Sequence, residues 1–377
     1  MKDKFITVLL TIIVILIISC IVILGINIYN DYIKSDTASS VEEWFGDTVE
    51  SYKQKINLEQ EVETPQILNN SLNNIQSEQN EQNIQYNTSN IKNKYFYNQL
   101  EKSSKIIYSA LYENKENLKT GTYAIQFGNA FSEILSSDDG QEILGSYYQS
   151  AIESFLYDNP DVFYLNPNKM FLNVESTTSR KGKTFNVFIS NGEQVNYLAD
   201  GFSSKEQIEQ CEKLIESVAK QILEKSTGNQ YDKVKKIHDL LVANLEYDSS
   251  VSKDNIYNIY GALVNRECVC EGYAKSYKYL LDKAGVNSII VVGKATNSHG
   301  QTENHSWNYV QLDGNWYAID VTWDDPVVIG NGNVSNDARY KYFLKGYNSI
   351  NKDHTVTRQF TEGGKEFNYP SLSTNDY

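Results

Sequence analysis

Asn304-His305-Ser306-Trp307-Asn308-Tyr309-Val310-Gln311-Leu312-Asp313-Gly314-Asn315-Trp316-Tyr317-Ala318-Ile319-Asp320-Val321-Thr322-Trp323 reads as two apolar-rich runs joined by Asp313-Gly314. Asp-Gly between two such runs is a strong two-residue hairpin signal, because the tight turn that matches strand twist needs positive φ at both central residues. The stretch predicts two antiparallel strands, 304–312 and 315–323. With Leu312 and Asn315 flanking the turn, His305 faces Thr322 and Trp307 faces Asp320. Side chains two apart share a face, so His305, Trp307 and Asp320 fall on one side of the sheet. His305 and Asp320 are then diagonal neighbours about 7–8 Å apart at the backbone, within reach of a side-chain hydrogen bond. A register shift of one residue would put them on opposite faces.

Upstream, Cys270-Glu271-Gly272-Tyr273-Ala274 continues through Tyr277, Leu280, Leu281 and Ala284 with helical spacing and stops at Gly285, a natural residue just past a helix end. Cys270 therefore stands at a helix N-terminus, where free N–H groups and the positive end of the helix dipole favour a thiolate. Ser288-Ile289-Ile290-Val291-Val292 predicts a strand between this helix and the hairpin. A nucleophilic thiol needs an imidazole to move its proton and a carboxylate or amide to fix that imidazole. Cys270, His305 and Asp320 supply the three roles, and such chemistry requires no cofactor or metal. A competing reading takes Cys268, Cys270, His299 and His305 as zinc ligands. Its C-x-C spacing is tighter than the usual structural zinc pattern.

Farther out, Ile208, Cys211, Leu214, Ile215, Val218 and Ile222 share one helical face, and Val234, Ile237, Leu241 and Leu245 share another. Cys211 and His238 read as structural residues of these helices. Between 93 and 200 the chain predicts a smaller region of mixed helix and strand. Leu100 to Leu111 and the segment with Ala151, Ile152 and Phe155 are its helices; 162–165, 170–174 and 184–189 are its strands. This region groups no nucleophile with a base, and its expected role is substrate presentation or packing.

Residues 5–29 carry no charge and are rich in Ile, Leu and Val. At about 1.5 Å per residue they can cross a hydrocarbon layer roughly 30 Å thick. Lys2 and Lys4 precede the run, and Asp31, Lys34 and Asp36 follow it. The positive-inside bias thus predicts a single-pass anchor, with residues 1–4 cytoplasmic and the rest of the chain outside the cell. The run is too long for a cleaved signal peptide and lacks a small-residue cleavage site. Ile17-Ile18-Ser19-Cys20 resembles a lipoprotein box, but the apolar run continues past it to Ile28. Residues 30–92 read as a polar tether: between 51 and 90, Asn and Gln make up 16 of 40 residues, too little apolar surface to offset chain entropy. Trp44 and Phe45 are its one bulky aromatic pair, a candidate contact with the membrane surface.

The formal charge of -14 argues against a nucleic-acid partner, which would need clustered Lys and Arg. Four cysteines in 377 residues are too few for a disulfide framework.

Taken together, Cys270 to Ala274, His305-Ser306-Trp307-Asn308 and Trp316-Tyr317-Ala318-Ile319-Asp320-Val321-Thr322-Trp323-Asp324-Asp325-Pro326 closely resemble the core of bacterial transglutaminase-like proteins, over roughly residues 230–360. The resemblance implies an α+β, papain-like fold in which a nucleophile helix packs on an antiparallel sheet, here residues 201–377. It assigns Cys270 as nucleophile, His305 as base and Asp320 as orienting residue. Asp158-Asn159-Pro160-Asp161-Val162-Phe163-Tyr164 is similar, more loosely, to the segment that accompanies this domain in Gram-positive membrane and wall proteins. Where relatives usually carry Gly two residues before the nucleophile, this chain has Cys268, a candidate redox partner for Cys270. Trp307 and Trp323 are expected to contact substrate, and Trp316 to line or support the cleft. The expected activity is acyl transfer from a glutamine or peptide amide to an amine or to water, on a protein or peptidoglycan peptide. A peptidase or amidase of wall peptides and a non-catalytic binding module are the alternatives.

Overall fold

The structure, a computed structural model, describes residues 86, 88–180, 182–325, 338–361 and 364–377. The expected membrane anchor at 5–29, the lipoprotein-like Cys20, Trp44 and Phe45, and most of the tether lie outside these residues. Among the described residues no helix is long and apolar enough to cross a membrane. The folded region reaches back into the segment read as tether, since Ile91 is 1% exposed and joins the main core.

Among the described residues there are five long helices: α1 (Lys102–Glu113), α2 (Gly140–Asp158), α3 (Lys205–Lys225), α4 (Gln230–Asn244) and α5 (Cys270–Ala284). Three strands, β1 (Ile125–Gly128), β2 (Phe171–Ser179) and β3 (Gly182–Ser190), form an antiparallel sheet in the order β1-β3-β2. Two short strands, β4 (Glu246–Tyr247) and β5 (Glu267–Cys268), pair in parallel, and β5 immediately precedes α5. The last sheet holds β6 (Ser288–Thr296), β7 (Thr302–Leu312), β8 (Asn315–Ile319) and β9 (His354–Val356), in the order β8-β7-β6-β9 with antiparallel neighbours.

The β7–β8 register is the one read from the sequence. Leu312 pairs with Asn315 and Asn308 with Ile319, and Asp313 and Gly314 both have positive φ, 49° and 82°. The second strand is shorter than expected. It ends at Ile319, because Asp320 starts a turn in which its side chain accepts the Trp323 amide at 3.2 Å and its carbonyl accepts the Asp324 amide at 3.1 Å. Both faces of this sheet are covered. Val310, Leu312, Tyr317 and Ile319 join the main core, while Ile289, Val291, Trp307 and Tyr309 pack with Tyr342 and Ile350. Burial on both faces explains why Ile289 to Val292 is a continuous apolar run rather than an alternating one.

One expected strand is absent. Residues 162–165 are buried, but their backbone bonds are made in turns and one isolated bridge, Leu165 with Leu198. Their apolarity serves a junction instead: Phe163 stacks on Tyr260 at 6.2 Å and meets Phe202 edge-on at 5.4 Å. The region 93–200 shares one continuous buried core with α3, α4 and α5. Asp158, at the end of α2, ties this region together. Its carboxylate accepts the Phe96 amide at 3.1 Å, the Tyr97 amide at 2.9 Å and the Tyr108 hydroxyl at 3.2 Å, all buried.

Asp158→Ala would strand those donors in the core. At about 1–3 kcal/mol per buried unsatisfied group, the expected loss of stability in urea denaturation is roughly 3 kcal/mol or more. Asp158→Asn keeps one acceptor and is expected to fall between the two.

Candidate active site

The approach to Cys270 is held by backbone bonds. Cys268 pairs with Tyr247, its carbonyl accepts the Asp248 amide at 3.1 Å, and the Val269 amide donates to the Ile256 carbonyl at 3.0 Å. Val269 caps α5 without a side-chain hydrogen bond, so no capping oxygen claims the first-turn amides around Cys270. The helix ends as the sequence indicates, at Gly285 with φ 74°. Its buried face carries Tyr273, Ala274, Tyr277, Leu280 and Leu281. Asn308 of β7 locks helix to sheet by donating its side-chain amide to the Ala274 carbonyl at 2.9 Å.

His305 and Asp320 meet as the register requires. His305 Nε2 lies 2.7 Å from Asp320 Oδ2, and both residues are buried. Cys270, which is only partly buried, lies near enough to His305 to influence its protonation. Burial by itself would lower the His305 pKa. The Asp320 charge and hydrogen bond, with a smaller contribution from Cys270, reverse that and push it up to about 10. Burial likewise opposes ionisation of Asp320, but the paired His305 and a hydrogen bond from His354 outweigh it and hold the carboxyl below the usual range. Imidazole and carboxylate are thus brought together on the face that the register predicts, with Cys270 near the imidazole.

The remaining expected site residues are placed differently. Trp307 is 1% exposed, so its expected role as a substrate contact is corrected. It packs against the two imidazoles, with ring centroids 6.1 Å from His305 and 5.1 Å from His354, and supports them from within the sheet. Trp323 keeps some exposure and covers His305 at 5.3 Å. Trp316 is at the far end of the hairpin, 6.5 Å from Tyr95. Cys268 is fully buried in the main core. Burial first, then the charges of Asp325, Cys270 and Glu267, push its thiol well above the usual range. It packs so closely beneath Gly272 that a Cβ there would lie 2.5 Å from the Cys268 Cβ. This placement favours a packing role over a redox one. Cys211 is buried on α3 as expected.

The zinc quartet is not assembled. His299 is exposed at the β6–β7 turn, beyond the Thr296–Thr302 pair, whereas His305 lies three residues along β7, about 10 Å at the usual strand rise. Among the described residues the metal-capable grouping is instead His305, Asp320 and His354, with donor atoms within 4.8 Å of one another. Two imidazoles converging on one carboxylate oxygen, at 2.7 and 3.0 Å, account for that closeness by hydrogen bonding.

Sequence reasoning missed three supporting residues. His354 sits on the short edge strand β9, with no periodic pattern to announce it. Asp324 accepts His238 Nε2 at 3.1 Å and the Tyr342 amide at 2.7 Å, which anchors the turn after β8 to α4. Asp325 accepts the Tyr273 hydroxyl at 2.6 Å and ties the same turn to α5. The cluster Asp320-Val321-Thr322-Trp323-Asp324-Asp325 was a signal in itself, since three acids in a largely apolar context need partners.

Two outcomes follow. Because His305 is protonated more readily in the folded chain, its stabilising contribution is full below about pH 6.5 and is lost as pH rises towards about 10. Denaturation midpoints should therefore fall across that window in wild type, and Asp320→Asn should flatten the fall. Cys268→Ser should cost about 1–3 kcal/mol for a buried hydroxyl and leave the oxidant sensitivity of Cys270 unaltered, as measured by thiol labelling with and without peroxide.

Residues 216–321 match the family model described as the transglutaminase-like superfamily. The kyphoscoliosis peptidases of Mus musculus and Homo sapiens are each 26% identical over 107 residues, covering 26% of this chain and 16% of their own length. The chain thus spans about a sixth of those relatives. A crystal structure of a TGase is similar with a TM-score of 0.28 and 16% identity, over 48% of this chain and 53% of that one. The matched segment contains Cys270, His305 and Asp320, and it is in this segment that the chain is similar to the transglutaminase-like superfamily.

Proposed function

We propose that the protein is a thiol enzyme that forms an acyl-enzyme at Cys270 from a glutamine or peptide amide and passes the acyl group to an amine or to water. The observation that carries this reading is the buried His305–Asp320 hydrogen bond at 2.7 Å, with Cys270 placed near that imidazole at the uncapped start of α5. In the first step the Cys270 thiolate attacks the amide carbonyl. Charge gathers on the carbonyl oxygen near the uncapped N-terminus of α5, where the helix dipole and free amides favour it. The C–N bond breaks as the His305 imidazolium gives its proton to the leaving amine. Neutral His305 then takes a proton from the incoming amine or water as that group attacks the thioester, and the thiolate is restored.

A cleft of about 650 Å³ adjoins the nucleophile helix, within the range of roughly 300–1,000 Å³ usual for ligand sites. Tyr148, Glu153, Tyr157 and Phe163 of the region before the catalytic segment form part of its wall, and Glu271 and Lys275 of α5 form another part. Glu271 directly follows the nucleophile, so the cleft supports a role for the 93–200 region in presenting an extended substrate. We further propose that residues 5–29 anchor the chain in the cell membrane, with the N-terminus cytoplasmic and the site facing the cell exterior. Substrates would then be external proteins or peptidoglycan peptides. Hydrolysis is the second reading; the peptidase named among the relatives favours it.

Mass spectrometry of the full-length chain, incubated with glutamine peptides and wall-type peptides with and without a primary amine, separates these outcomes. Amine adducts identify a transferase, and cleaved amides without adducts a hydrolase. Cys270→Ala should abolish either product and His305→Ala should slow it by about 10³-fold or more. No Cys270-dependent product under any condition would return the domain to a binding role.

A further inference from the structure

His354 is a buried imidazole at the centre of the site for which the acyl-transfer steps have no use. It lies on β9 and pairs with Ala295 of β6. Each ring nitrogen faces a carboxylate: Nε2 is 3.0 Å from Asp320 Oδ2, and Nδ1 is 2.8 Å from Asp353 Oδ1. Aromatic rings enclose it, Trp323 at 4.7 Å, Trp307 at 5.1 Å and Tyr342 at 5.2 Å, with His305 at 5.6 Å. Asp353 is itself held by the Tyr342 hydroxyl at 2.8 Å.

We propose that His354 is a positioning residue for the triad, fixing the Asp320 carboxylate that orients His305. The inference rests on the reading of Cys270 and His305 as nucleophile and base. Asp320 needs such a partner because β8 ends one residue before it, and the last torsion of an aspartate side chain is broad. A single hydrogen bond from His305 would let the carboxylate swing. Donors from β7 and β9 converge on Oδ2 while the Trp323 amide occupies Oδ1, which leaves one orientation. Asp353 and Tyr342 then fix His354 in turn, so the alignment of His305 is set from the edge strand of the sheet.

Iodoacetate alkylation of Cys270 in the full-length chain, assigned by peptide mass spectrometry, tests this without a known substrate. The anionic reagent is drawn to an imidazolium beside the thiolate, so its rate falls as His305 loses its proton. The titratable groups facing His354 are Asp320, His305, Asp353 and Tyr342, with Cys270 beyond His305. His354→Phe fills the space without a donor and is expected to move the high-pH fall downward by about one unit or more. His354→Gln, which can still donate to Asp320, is expected to recover at least half of that shift. Should His354→Phe fail to fold, Asp353→Asn slackens the other end of His354 and is expected to give a smaller downward shift. Profiles that coincide with wild type, or that move upward, overturn the positioning role while leaving the nucleophile reading intact. Failure of Cys270 to alkylate faster than an ordinary thiol overturns both.

Discussion

A single carboxylate, that of Asp320, sets the terms for the sheet β8-β7-β6-β9 and the turn that follows β8. A carboxylate removed from water without partners costs several kcal/mol, and Asp320 is fully buried. Satisfying it needs three donors from three parts of the chain: the middle of β7, the edge strand β9 and the turn after β8. The strand order β8-β7-β6-β9, the early end of β8 and the fastening of the following turn through Asp324 and Asp325 all serve that requirement. The fold around the site is in this sense a solution to keeping one negative charge inside.

Much of this was legible in the sequence because the controlling signals were local. Asp313-Gly314 sets hairpin register within two residues, and the strand period then carries His305 and Asp320 to one face without reference to the rest of the chain. The start of α5 at Cys270 and its stop at Gly285 follow equally from neighbouring residues. What was not legible depended on distant parts. His354 lies 34 residues beyond Asp320 on a strand of three residues, too short to show a period. Residues 162–165 have the composition of a strand, but their apolar side chains fill a junction with Tyr260 and Phe202. Trp307 reads equally as a cleft wall or a core residue until the layer with Tyr342 and Ile350 is seen to cover it.

The region before residue 200 is less separate than its change of composition implies. Its core runs without a break into α3, α4 and α5, and Lys119 reaches from it to Glu212 of α3 at 2.7 Å. The cleft beside Glu271 lies at this junction: one wall belongs to the earlier region and the other to α5, which starts at Cys270.

The Asn308 side chain, bonded to the Ala274 carbonyl, joins the helix that carries sulfur to the strand that carries imidazole. Sliding α5 along the sheet, the motion that would separate sulfur from imidazole, has to break that buried bond first. Thiol and imidazole therefore share one mechanical frame.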